Sequence, residues 1–249
     1  MTLSDHQLDR YARHIILKEI GGAGQMRLLS SHVAVIGAGG IGSPLLAYLA
    51  AAGVGTVTII DDDIVSLSNL QRQTLFGTDD IGKPKVDAAK MALARINADV
   101  EVIAMAERIN AGNAAQLLGG VDVIIDGCDN FATRLIVGDA AHAAHIPLVS
   151  AAVGQFEGQL ATYRGWEAGK PCYRCLVGNY PDRADASCAD QGVLGALTGV
   201  IGSLAAIEAV RALYRFGDDP AGKLLIVDAL SFRFRTLTLG KDPECSCAG

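Results

Sequence analysis

The chain has 249 residues, half of them hydrophobic and only 5% aromatic, so its core must be built from Val, Ile, Leu and Ala. A domain of this length buries roughly three quarters of its unfolded surface and needs no disulfides to fold. The formal net charge of -6 argues against nucleic acid as the main partner, because a phosphate backbone is held by Lys and Arg.

Ser4 reads as the N-cap of a helix over about 5–19 that places Leu8, Tyr11, Ile15 and Ile16 on one face. Met1–Arg13 is polar and mixed in charge, unlike an export signal, which predicts a cytoplasmic protein. His32–Ile36 is a short apolar run that ends in glycines, the pattern of a buried strand. Ile41–Ala52 follows as a helix, and Val57–Ile60 as a second strand closed by three aspartates. The spacing predicts a helix over 84–96 with Pro at its start. Strands are predicted over 100–105, 121–126 and 148–153, with helices over 111–118 and 130–145 between them. Such alternation implies an α/β fold with a Rossmann-like, doubly wound parallel sheet.

Beyond residue 153 the pattern changes. Strands over 158–163, 223–227 and 233–239 lack a helix between each pair, so an antiparallel extension of the sheet is expected. The stretch 193–210 is apolar enough to raise the question of a bilayer. Gly195, Gly199, Gly202, Ser203 and Glu208 interrupt it, and it reads as a buried helix rather than a membrane span. Residues 178–192 are rich in Asp, Gly, Pro and Asn and read as a mobile crossover loop. One domain over 1–249 is expected: an N-terminal helical segment (1–30), a nucleotide-binding half (31–153) and an antiparallel extension (154–249).

The first strand runs into Gly37-Ala38-Gly39-Gly40-Ile41-Gly42, a G-x-G-x-x-G between strand and helix. Glycine permits the tight turn and lets backbone N–H groups approach a phosphate. Asp61 ends the next strand, where an acidic residue grips ribose hydroxyls. This much fits NAD, FAD or ATP. The next residues are Ser68-Asn69-Leu70-Gln71-Arg72-Gln73 and Lys83-Pro84-Lys85. Cations beside a glycine loop suit a triphosphate, because phosphoryl and nucleotidyl transfer rest on positioning and charge neutralisation. Asp129, in Gly127-Cys128-Asp129-Asn130 at a strand end, is placed either to hold Mg²⁺ or to cap the helix that follows. An NAD(P)-dependent oxidoreductase would need only the glycine loop and Asp61, leaving Arg72, Lys85 and Asp129 without a role. A catalytically silent partner would lack these residues.

Four of the six cysteines form two pairs, Cys172-x-x-Cys175 and Cys245-x-Cys247. Four thiolates in two pairs suit a tetrahedral structural Zn²⁺; a redox pair is the rival. Cys128 reads as packing. Cys188 is a thiol in the expected mobile loop.

With Arg10-Tyr11-x-Arg13, GAGGIG, the aspartates with SLSNLQRQ, KPK, GCDN and CYRC in place, the chain resembles the bacterial adenylyltransferases related to the ubiquitin-activating enzymes. It is most like the enzymes that serve molybdopterin synthase and the sulfur carrier of thiamine biosynthesis; Asp61-Asp62-Asp63 and Ala152-Val153-Gly154 lean towards the latter. The resemblance implies ATP-dependent adenylylation of the C-terminal Gly-Gly carboxylate of a ubiquitin-like sulfur-carrier protein. It implies a nucleotide site formed by Gly37, Gly39, Gly40, Gly42, Asp61, Ser68, Asn69, Gln71, Arg72, Lys85, Asp129 and Asn130. Within it Asn69, Arg72 and Lys85 hold phosphates, Asp129 binds Mg²⁺, and Arg13 reaches the γ-phosphate from the other protomer of a homodimer. In some relatives a cysteine at the place of Cys188 links covalently to the activated carrier. The family's second cysteine pair is usually C-x-x-C, so C-x-C is a departure at Cys247. No rhodanese-like domain follows, which implies that a separate sulfurtransferase or cysteine desulfurase supplies sulfur.

Overall fold

The computed structural model describes residues 2–178 and 192–245. Cys188 and Cys247 lie outside the described residues, as does nearly all of the expected loop over 178–192.

Eight strands form one sheet: β1 (His32–Ile36), β2 (Thr56–Ile60), β3 (Glu101–Met105), β4 (Val123–Asp126), β5 (Leu148–Gly154), β6 (Glu157–Tyr163), β7 (Lys223–Asp228) and β8 (Arg233–Thr238). Their order is β3-β2-β1-β4-β5-β6-β7-β8. The first five run parallel, with Val35 opposite Ile59 and Ile125 opposite Val149. The last three add on antiparallel, so the α/β sheet with an antiparallel extension expected from the sequence is present.

Nearly every residue of β1, β2 and β4 is buried, because helices cover both faces. Alternate side chains feed two cores. Val33, Val35, Val57, Ile59, Val123 and Ile125 meet helices α3 (Gly21–Leu29), α4 (Gly42–Ala52), α5 (Lys85–Ile96) and α9 (Gly195–Leu213). Ala34, Ile36, Ile60, Ile124 and Leu148 meet α6 (Ala114–Leu117), α7 (Phe131–Ala143) and α8 (Tyr173–Val177).

Helix α9 is the apolar stretch whose length and composition would suit a bilayer. Here Leu197, Ile201, Ala205, Ala209 and Leu213 are core residues on the sheet, as expected of a buried helix. At Gly202 it crosses α4 so closely that a Cβ would stand 2.3 Å from the Ile41 carbonyl oxygen.

The N-terminus departs from expectation. Ser4 does cap a helix, accepting the Gln7 N–H at 3.2 Å, but α1 (Asp5–Arg10) ends before Tyr11 and a short α2 (Ala12–Ile15) follows. Tyr11 turns inward, its ring against Gly53 and its hydroxyl accepting from Asn97 Nδ2 at 2.8 Å, while Leu8 and Ile16 stay exposed. One tertiary anchor thus overrides the amphipathic stripe. Helix α3 falls within the N-terminal helical segment expected over 1–30 but was not predicted as a separate element. Helix α6 is shorter than 111–118 because the Asn110 and Asn113 side chains bond nearby backbone before it begins.

Gly202→Val should lower stability by about 1–3 kcal/mol, the cost of overpacking a tight helix crossing. Thermal unfolding reads it directly; an unchanged midpoint would refute the close approach of α9 to α4.

Candidate active site

The C-terminal ends of β1, β2, β4 and β5 open into a cavity of about 500 Å³. In an open α/β sheet this edge, where the chain reverses its direction of winding, is the place for a ligand. Gly37, after β1, has φ +90°, and a Cβ at Gly42 would lie 2.1 Å from the Gly37 carbonyl oxygen. Only glycine closes this turn. Gly39 and Gly40 line the cavity, and α4 starts beside them without a side-chain cap; its Ser43 N–H bonds the Gly39 carbonyl at 2.8 Å and Pro44 has no N–H, so Gly42 carries the N–H of its first turn that is left for an anion.

Asp61, at the end of β2, accepts N–H bonds from Ala38 at 2.7 Å and Asp63 at 2.9 Å. Burial raises its pKa above the ordinary carboxylate value, although Lys85 and the two N–H bonds pull the other way. Lys85 begins α5, is almost fully buried, and pairs with the exposed Asp63 at 2.8 Å. A short 3₁₀ turn at Leu67–Asn69 brings Asn69 and Arg72 to the cavity wall, with Arg72 Nη1 donating to the Ser68 carbonyl at 3.1 Å.

The 127–130 turn supplies the opposite wall. Asn130 caps α7 by accepting the Thr133 N–H at 2.9 Å, so the cap considered for Asp129 belongs to its neighbour. Asp129 is exposed and lines the cavity. Beneath it, Arg134 bonds Asp126 at 3.3 Å, Ser150 at 3.2 Å, the Ala151 carbonyl at 2.8 Å and the Cys128 carbonyl. Burial is the largest single influence and works against the Arg134 charge, but Asp126, Cys128, Tyr173 and Asp129 together outweigh it, and the pKa lies above the ordinary arginine value. Burial, and then Asp126, push the Cys128 thiol pKa up, so it stays a neutral packing group as expected.

Of the residues expected at a nucleotide site, Gly37, Gly39, Gly40, Asp61, Asn69, Arg72, Lys85, Asp129 and Asn130 line one cavity. Gly42 shapes the turn from behind. Ser68 and Gln71 are exposed and do not line it; Ser68 meets Ser66 at 3.1 Å instead. The glutamine on the wall is Gln73, because the turn after Asn69 carries position 71 outward and 73 inward. Arg13 sits exposed on α2 and is not a wall residue of this chain's own cavity. Arg108, Arg134 and Thr198 line the cavity without having been expected there. Arg134 reads as the polar face of a helix, and Thr198 comes from α9, more than a hundred residues further along; neither position carries a local signal.

The sequence profile of the ThiF family matches residues 11–247. This chain belongs to the ThiF family. The sulfur carrier protein adenylyltransferase of Thermus thermophilus is 44% identical over 254 residues, covering 100% of this chain and 93% of that protein. The molybdopterin-synthase adenylyltransferase of Escherichia coli is 40% identical over 247 residues, covering 99% and 98%. Among solved structures, E. coli MccB superposes with a TM-score of 0.84 at 21% identity over 99% of this chain and 74% of that one, a likeness of fold. The oxidoreductase alternative finds no support among these relatives.

A second cluster in this ThiF-family chain lies outside the cavity. Cys172 Sγ is 3.8 Å from Cys175 Sγ and 3.6 Å from Cys245 Sγ. Bonds of about 2.3 Å from a tetrahedral Zn²⁺ to sulfur imply edges of about 3.8 Å, so these three thiols have the spacing of metal ligands. The Asp242 N–H also points at Cys175 Sγ, at 3.5 Å.

The raised Asp61 pKa fixes the sign of a stability effect. Its contribution is full below the unfolded value of about 3.9 and is lost as pH rises through the folded value. Relative to Asp61→Asn, the wild type should therefore lose stability as pH rises above the ordinary carboxylate value of about 4. Paired denaturant titrations measure this, and a difference moving in the opposite direction would contradict the desolvation of Asp61.

Proposed function

We propose that the chain is an ATP-dependent adenylyltransferase that activates the C-terminal Gly-Gly carboxylate of a ubiquitin-like sulfur-carrier protein, with the small subunit of molybdopterin synthase as carrier and the thiamine-pathway carrier as the alternative. One observation carries the reading: Asn69, Arg72 and Lys85 share a cavity with a glycine loop and an exposed Asp129. Dinucleotide chemistry has no use for that set, whereas a triphosphate under attack by an anion requires it.

In this reading the glycine loop faces phosphate, Asp61 holds the ribose, and Asn69, Arg72 and Lys85 hold the triphosphate. The carrier carboxylate attacks the α-phosphorus. A carboxylate O–P bond forms, the bond from the α-phosphorus to its bridging oxygen breaks, and pyrophosphate leaves with the electron pair. No general base is needed, because a C-terminal carboxyl with pKa near about 3.5 is already ionised. The cations offset the repulsion between two anions, and the Lys85–Asp63 pair keeps the ammonium at the wall until phosphate displaces the aspartate. Mg²⁺, bound through Asp129, would add charge neutralisation on the phosphate oxygens. The product is a mixed anhydride, an electrophile suited to a sulfur nucleophile from a sulfurtransferase or cysteine desulfurase.

A homodimer accounts for Arg13: exposed on its own subunit, it is available to the cavity of a second copy. The Cys172, Cys175 and Cys245 thiols hold a structural Zn²⁺, with Cys247 as the fourth ligand. Cys188 is a candidate for covalent linkage to the carrier.

Two experiments test these assignments. With MgATP, labelled pyrophosphate and each purified carrier in turn, one carrier should support exchange, and Asp129→Ala should reduce it by at least about a hundredfold with an unchanged melting temperature; near-normal exchange would remove the metal role. The purified protein should contain about one equivalent of zinc, and chelation should lower its melting temperature; full stability with less than about half an equivalent would overturn the zinc site.

A further inference from the structure

Among the described residues that line the cavity, Gln73 alone has a buried side-chain polar atom without a hydrogen-bond partner, its Oε1. The residue is 3% exposed. Burying an unpaired acceptor is costly, and native proteins tolerate one where a ligand completes the set. The other end of the amide, Nε2, lies 3.7 Å from where a Cβ on Gly39 would stand, so the group faces the glycine loop.

The turn that carries Gln73 packs onto the start of α9. A Cβ at Gly195 would lie 2.4 Å from the Gln71 carbonyl oxygen, and Thr198 Oγ1 approaches the Arg72 carbonyl at 3.5 Å. Helix α9 is 19 residues long, and among the described residues no side chain caps its N-terminus. Thr198 in its first turns and Val193 just before it line the cavity, as do Ala152 and Val153 at the end of β5. A buried amide, the positive end of a long helix dipole and a small-residue wall, behind which Arg134 is already paired with Asp126, therefore meet in one part of the cavity. Asp61 and Lys85 mark the other end. Asp61 ends β2, and in the sheet order β5 lies three strands away, about 14 Å at ordinary strand spacing.

We infer that Gln73 and the N-terminus of α9 form the seat of the incoming carboxylate, beside the triphosphate site. This rests on the adenylyltransferase reading above. A terminal glycine brings a carboxylate that accepts and a peptide N–H that donates, and a primary amide matches both, since rotation about its last bond exchanges its two ends. A neutral donor and a helix end orient the anion without the full ion pair that would blunt its attack on phosphorus. Glycine residues have no side chains to clash with the Ala152–Val153 wall.

Gln73→Leu should raise the KM for the carrier about tenfold in pyrophosphate exchange and leave the Kd for MgATP, measured without carrier, within about twofold. Gln73→Asn, which keeps the amide but withdraws it by one methylene, should show the same selective loss, and Gln73→Glu a larger one through repulsion of the carboxylate. An unchanged carrier KM in folded Gln73→Leu or Gln73→Asn, or an equal loss of MgATP affinity, would overturn the inference. Absence of exchange in the wild type with every Gly-Gly carrier would instead sink the functional reading, a separately visible result.

Discussion

The buried guanidinium of Arg134 is the interaction on which the shape of the cavity depends. It joins Asp126 at the end of β4, Ser150 and the Ala151 carbonyl on β5, and the Cys128 carbonyl in the turn between β4 and α7. A charge this deep is tolerable only when its donors are matched. Arg134 meets that condition by binding the structure that forms the cavity wall. The consequence is a division of labour among neighbours: Asp126 neutralises Arg134, Asn130 caps α7, and Asp129 is left facing the ligand space.

The cysteine cluster supports the same wall from behind. Cys172 and Cys175 flank the first turn of α8, and Cys245 comes back from the other end of the chain. Helix α8 presses on α7: a Cβ at Gly138 would lie 3.0 Å from Tyr173, and Arg174 grips Asp139 at 2.6 Å and 2.7 Å. Helix α7 in turn carries Asn130 at its cap and Arg134 in its second turn. A metal at the thiols would thus steady, through two helices, the loop that presents Asp129.

Charge is arranged along the sheet edge rather than spread over it. Lys85, Asp61 and Asp63 interlock at the β2 side, where Asp61 bears a desolvation cost in the free protein. The β5 side carries the Gln73 amide, Thr198, the start of α9 and the Arg134 guanidinium, whose charge Asp126 already meets. Holding such groups in place before the substrate arrives destabilises the free protein a little and removes reorganisation from the reaction. A ThiF-family chain that joins two anions benefits from that asymmetry: Lys85 at one end, neutral donors beside an already paired guanidinium at the other.

Much of the fold was legible in the sequence because its elements obey local rules. The runs around Val35, Ile59 and Ile125 are apolar throughout and could only be strands covered on both faces, and Gly37 to Gly42 could only be a turn too tight for side chains. The cavity-lining set around Asp61, Arg72, Lys85 and Asp129 was legible for a related reason: Asp61 and Asp129 stand just beyond strand ends, Arg72 and Lys85 follow in the connection from β2 to α5, and a parallel sheet places such connections on one edge. Residues whose role depends on direction rather than position were not legible. Tyr11 breaks a helix because Asn97 and Gly53 receive it, and Gln73 replaces Gln71 because a 3₁₀ turn rotates one inward and the other out. Thr198 reaches the cavity only because α9 crosses α4 at Gly202. Sequence alone indicated the strands, most of the helices and the edge of the sheet that carries the cavity. Tertiary packing decided which side chains face the cavity, because that choice is made by contacts between residues far apart in the chain.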